Sequence, residues 1–257
     1  MEKIKKILLN NLDKIWAVIY VIFIIVLWEL KINNILKVLL FILFLLLPRI
    51  IAKIYIIYNI IPFYKVVTKF NKDCDVDCYI KNLSKIMDKS KKIDVKEVFK
   101  MYVIIGKIFK DGYSEKLLNE LLKLDSTLIG KKNEFTLKIN IINTYRHLGN
   151  LDKVKELISE LDNEENVNEK ESVERVKMLC KLEEKDYYGV ENYFTSSLMK
   201  QKTTLGKVID NSILGEYYFE IKDYSKAKTC FDFIIEHGNN LHCVSEAKKF
   251  NKKIENK

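Results

Sequence analysis

Hydrophobic and polar positions divide this chain into two unlike stretches. Up to about residue 70 the apolar residues run nearly unbroken: IWAVIYVIFIIVLW is fourteen without a charge, and after Lys37 come the ten of VLLFILFLLL. Beyond that point apolar residues recur at three and four, as in Tyr79, Leu83, Ile86 and Met87, then Val98, Met101, Tyr102, Ile105 and Phe109. A run apolar on all sides has no soluble surface large enough to bury it. Three-four spacing is the mark of helices with one buried face. The pattern therefore predicts an all-α chain, with an N-terminal transmembrane helical hairpin over residues 1–70 and a cytosolic domain of stacked helices, an α-solenoid, over 71–257. Both prolines, Pro48 and Pro62, precede the boundary, and all eight glycines follow it.

The hairpin's ends are marked by side-chain type. Trp16 and Trp28 bracket the first run, at the depth where tryptophan favours a membrane interface. The basic residues Lys3, Lys5, Lys6 and Lys14 precede the pair and Arg49, Lys53, Lys65 and Lys69 follow it, against Glu29 and Lys31 at the turn. Positive flanks stay inside, which puts both termini and the helical domain in the cytoplasm. The runs are short for a hydrocarbon core of about 30 Å, so a re-entrant hairpin dipping into one leaflet is the second reading. Between the prolines, the spacing of Ile50, Ile51, Ile54, Ile57, Tyr58 and Ile61 predicts an interfacial helix starting at Pro48. The alternative is a second span that continues through Pro48 with a kink. No small-residue cleavage site follows the first run, which argues for a retained anchor.

In the second stretch, turns at Lys110 to Tyr113, His147 to Leu151, Glu184 to Tyr188 and Lys222 to Tyr224 sit inside units of about 36 to 38 residues, a period that signals stacked helical hairpins. The clearest unit is ILGEYYFEIKDYSKAKTCFDFII, residues 213–235. It resembles a tetratricopeptide repeat, through Leu214 and Gly215, the aromatics Tyr218, Tyr224 and Phe231, and the small Ala227. Residues 135–161 follow the pattern with Tyr145, Gly149, Leu151, Val154 and Ile158, with Ile142 and Val154 where small residues are expected. Residues 171–197 keep Tyr187, Val190 and Phe194. The acidic, Asn-containing stretch 160–174 reads as a long turn, and Leu241 to Ile254 as a capping helix with a polar outer face.

The resemblance implies a binding function, with a groove lined by the first helix of each hairpin. In this sequence the matching positions are Asn143, Arg146 and His147 in one repeat and Glu216, Phe219 and Glu220 in another. Arg146 and Asn143 there suit a peptide's carboxylate or backbone.

Charge adds little to that picture. The net charge of +9 is spread over 44 basic and 35 acidic residues with no aromatic-interleaved basic stripe, so nucleic acid is not an expected partner. No nucleophile, phosphate-loop or metalloprotease motif occurs, and no enzyme activity or cofactor is expected. Five cysteines form no disulfide framework. Cys74 and Cys78 lack a second ligand pair, and His237, His242 and Cys243 fit an interhelix loop, so no metal site is expected. The expected function is a membrane-tethered scaffold for a protein or peptide partner, with membrane lipid as its second partner. The alternative is a membrane-complex subunit or immunity-type protein acting through the hairpin, for which Lys37 is the sole charged candidate between the runs.

Overall fold

The computed structural model describes residues 12–29, 33–55, 61–161 and 167–256, and every regular element in them is a helix. Contacts divide the chain into Met1–Ile61 and Pro62–Lys257.

In the first unit α1 (Leu12–Glu29) and α2 (Asn34–Tyr55) form a hairpin. Asn33 starts α2, its Oδ1 accepting the Ile35 amide at 2.9 Å. Phe44 of α2 stacks on Phe23 of α1 with centroids 3.9 Å apart and meets Tyr20 edge-on at 5.3 Å. Lys37 donates from Nζ to the Trp28 carbonyl at 3.2 Å, tying the ends of the two helices together. Away from that seam the apolar side chains are uncovered: Val21, Ile22 and Ile25 on α1, Ile35, Val38, Leu39 and Leu43 on α2, and Trp28 at 82 % exposure.

The transmembrane crossing expected for this pair finds no support: among the described residues no helix is long and apolar enough to cross a membrane. Asp13 and Lys14 at one end and Glu29 at the other leave α1 an uncharged length of about 21 Å, and Lys37 and Arg49 leave α2 about 16 Å. α2 also passes through Pro48 to Tyr55, so no new helix starts at that proline; the lost amide donor costs a single intrahelical bond. Residues 56–60 of the expected interfacial helix lie outside the described residues, as do the side chains of Trp16, Arg49 and Lys53.

The second unit opens with α3 (Ile61–Asp73), Pro62 in its first turn. The expected boundary at 70 falls inside α3, which packs on the helices that follow it. Phe70 stacks on Tyr79 at 4.3 Å and meets Phe109 at 5.6 Å, and Phe63 meets Phe99 at 5.5 Å. Next come α4 (Val76–Lys89), α5 (Ile93–Asp111), and the short α6 (Glu115–Leu122) and α7 (Ser126–Ile129). Gly106 of α5 lies so close to Tyr79 and Ile80 of α4 that a Cβ there would fall 2.8 Å from Ile80.

Three helix pairs follow: α8 (Lys131–His147) with α9 (Leu151–Leu161), α10 (Val167–Glu183) with α11 (Val190–Lys200), and α12 (Thr204–Glu220) with α13 (Tyr224–His237). The chain ends in α14 (His242–Glu255). First helices begin at intervals of 36, 37 and 38 residues, and the breaks fall at the turns the spacing predicts. The α12–α13 pair is the most tightly crossed: a Cβ on Gly215 would fall 2.6 Å from the Phe231 ring, and Ala227 is fully buried. In the α8–α9 pair Ile142 and Val154 are core residues, at 1 % and 0 % exposure. The long turn expected over 160–174 is shorter, since α9 reaches Leu161 and α10 starts at Val167; residues 162–166 lie outside the described residues.

The end of the array is not a free cap. α14 packs on α5, and the loop before it holds the start of α4. Asn240 accepts the Val76 amide at 2.8 Å and donates to Asp77 at 2.7 Å, while Asn239 donates to the Asp73 carbonyl at 3.1 Å. One core accordingly joins Phe70, Tyr79 and Leu83 to Phe194, Leu214, Phe231 and Val244.

Candidate functional site

Closure brings the ends of several helices together around one polar centre. α8 ends in Arg146 and His147, α10 in Glu183, α12 in Glu216 to Glu220, and α14 begins with His242, Cys243 and Glu246. Arg146 is only 7 % exposed. Its Nη1 donates to Glu183 Oε1 at 2.5 Å and its Nη2 lies 2.6 Å from His147 Nε2. A guanidinium only donates, so Nε2 of His147 must accept and the ring proton sits on Nδ1. The same imidazole stacks on Tyr113 with centroids 3.8 Å apart and planes 15° from parallel.

His147 is exposed at its surface although Tyr113 covers one face. Burial among the surrounding helices, then Arg146 and His242 beside it, push the imidazole down to about 3, so it is neutral at physiological pH.

Glu216 carries the opposite perturbation. Its side chain is exposed. Desolvation by the neighbouring helices pushes its carboxyl up to about 7, with Arg146 opposing the rise and Glu183, Glu246 and Glu220 adding to it. Glu220 is half exposed and lies 3.6 Å from Lys185, and Glu246 lies 3.7 Å from His242.

Of the six groove positions expected from the sequence, Arg146, His147, Glu216 and Glu220 belong to this centre. Asn143 lies one turn before Arg146, its Oδ1 buried and without a hydrogen-bond partner. Phe219 faces another way: it meets Phe250 at 4.9 Å and Tyr224 at 5.7 Å and helps hold α12, α13 and α14 together. Arg146, expected as an anchor for a peptide carboxylate, already has one in Glu183. Of the other carboxylates, Glu220 faces Lys185 and Glu246 faces Lys249 at 2.7 Å, while among the described residues Glu216 has no ion-pair partner.

The sequence pattern singles out neither Glu183 nor Glu246, and marks Tyr113 only as a turn residue and His242 only as part of an interhelix loop. Glu183 had a signal: Arg146, Glu183 and Glu220 stand at intervals of 37, the same position in successive repeats. Gly112 supplies the seat for His242; at φ +83 it has no side chain, and a Cβ would fall 2.9 Å from the imidazole Nε2. A second network locks α10 to α11 and α12: Asp210, fully buried, accepts from Arg175 at 2.5 Å, Ser197 at 2.8 Å and Gln201 at 3.1 Å.

Among the described residues no group of three or more His, Cys, Asp or Glu side chains is placed to hold a metal ion. The buried thiols of Cys74 and Cys230 are both pushed up to about 11 by burial, unlike a reactive thiolate. Comparison with family models, curated proteins and solved structures finds no match.

Proposed function

We propose that this chain is a membrane-tethered helical-repeat scaffold whose acidic centre takes a basic segment of a partner protein. The repeat period and the tetratricopeptide-like 213–235 unit favour a binding module. The observation that carries the reading is the charge at Glu216: Glu183, Glu220 and Glu246 all add to the rise of its carboxyl, and among the described residues Arg146 is engaged by Glu183, Lys185 by Glu220 and Lys249 by Glu246, which leaves Glu216 as the carboxylate with no ion-pair partner. A lysine or arginine entering there restores charge balance and lets Glu216 ionise. Uncovered apolar residues on both α1 and α2 support the tether. A hairpin seated in one leaflet fits their short uncharged lengths and keeps both flanks on the cytoplasmic side. Lys37, the residue a hairpin-centred function would use, is engaged with the Trp28 carbonyl. Tethering raises local concentration, so a modest intrinsic affinity suffices.

The test is crosslinking and pull-down from detergent-solubilised membranes, comparing the full chain with a Glu216→Lys, Glu220→Lys variant. Both side chains are exposed, so the variant is expected to keep its helical circular dichroism and melting temperature. Arg146 and Phe219 are poor choices because both hold helices together. Loss of a partner that a lysine-rich peptide also displaces supports the reading. An unchanged partner set refutes it.

A further inference from the structure

The exposed face of α3 carries a charge pattern that the scaffold reading does not use. Ile61 and Tyr64, at 37 % and 64 % exposure, come first, followed by Lys65, Lys69 and Lys72 at i, i+4 and i+7. All three lysines are exposed, and among the described residues none has an ion-pair partner. Between α3 and α4 lies a cleft of about 250 Å³ lined by Lys65, Val66, Lys69, Phe70, Cys78 and Tyr79. Its floor is apolar and its rim cationic. The carboxylate on this wall, Asp75, is occupied in capping α4, its Oδ1 accepting the Cys78 amide at 2.9 Å.

We infer that the α3–α4 cleft binds an anionic phospholipid, its phosphate held by Lys65 and Lys69 at the rim, the start of an acyl chain lying on Val66, Phe70 and Tyr79, and Lys72, one turn further along α3, adding attraction to the anionic surface. The argument rests on the tether reading above. Lys65 lies ten positions after Tyr55, the last residue of α2, a chain reach of at most about 35 Å. Three unpaired ammonium groups on one helix face, beside an apolar slot, match a lipid that is anionic at one end and apolar at the other. The exposed Tyr64 suits the headgroup level.

The experiment uses the full chain and two vesicle compositions, phosphatidylcholine alone and phosphatidylcholine mixed with phosphatidylglycerol. Flotation is measured for the wild type, for Lys65→Gln, Lys69→Gln, Lys72→Gln, and for the matching three-arginine variant. Maleimide labelling of Cys78, read by peptide mass, gives a local probe, since Cys78 lines the cleft and is half-buried. The wild type should prefer the anionic vesicles, and the glutamine variant should lose on the order of 100-fold of that preference. The arginine variant should retain it, and anionic vesicles should protect Cys78 in the wild type and the arginine variant but not in the glutamine variant. Cys78 labelled equally on both compositions, or a glutamine variant with undiminished preference, overturns the inference while leaving the tether intact. Failure of the wild type to float with either composition overturns the tether itself.

Discussion

His147 and Glu216 depart from their ordinary ionisation in opposite directions, and the sign of each fixes how stability follows pH. The imidazole titrates near 6.5 when unperturbed and near 3 in the fold. The unfolded chain binds that proton first, so stability from His147 is present above about pH 6.5 and is lost as pH falls towards 3. The Glu216 carboxyl titrates near 4.5 when unperturbed and near 7 in the fold. Here the folded chain holds the proton longer, so its contribution is complete below about pH 4.5 and is lost as pH rises through 7. Between those limits the two slopes oppose each other. Urea midpoints measured from about pH 4 to about pH 8 should show it. His147→Phe is expected to flatten the acid side, and Glu216→Gln to raise stability relative to wild type only towards the alkaline side. Parallel curves for all three proteins would remove both assignments. Water reaches both side chains, so both effects should be small.

Helix pairs show where sequence was sufficient and where it was not. Gly215 and Ala227 are small because α12 and α13 cross at that point, and three-four spacing with a period near 37 reads out both the pair and its neighbours. Gly215→Ala places a methyl against the Phe231 ring, itself 1 % exposed and stacked on Phe250 at 4.9 Å. Helix propensity gains up to about 1 kcal/mol from that change, while overpacking costs about 1–3 kcal/mol. A net loss of about 1–2 kcal/mol in a denaturant titration is the expected outcome; a gain would mean the crossing is loose. The site was less legible than the pairs. Arg146 could be placed on an inward helix face, but whether it is free or paired depends on Glu183 in the next repeat, a residue that looks like any other helix-end acid. Phe219 departs from the groove for a related reason: an aromatic one position from the end of α12 can face the groove or the following helix. Phe250 on α14 decides it. In the hairpin, apolar density was plain in sequence, but the charges at its margins shortened what it could cover.

Closure of the second unit was invisible in the sequence, because it depends on pairs 163 to 166 residues apart in which the deciding groups are two loop asparagines. A repeat pattern predicts nearest-neighbour stacking and leaves the ends unspecified. Asn240 is the joint that tests closure. It satisfies the amide of Val76, a fully buried residue at the start of α4. Asn240→Ala removes that acceptor and the donor to Asp77, at an expected cost of about 1–3 kcal/mol. Hydrogen exchange should then rise at the Val76 amide and through α14, whose contact with α5 is no longer fastened. The consequence reaches the acidic centre, since Glu246 lies on α14 and helps to raise Glu216. If α14 loosens, Glu216 loses both that neighbour and part of the packing that desolvates it, and its titration should move down from about 7 towards 4.5. Carbon-13 NMR of the glutamate side chains in wild type and variant measures the shift directly. Faster exchange in α14 with an unmoved Glu216 would mean that the acidic centre is built by α8, α10 and α12 alone. Movement of both together means that the far end of the chain sets the charge of its binding face.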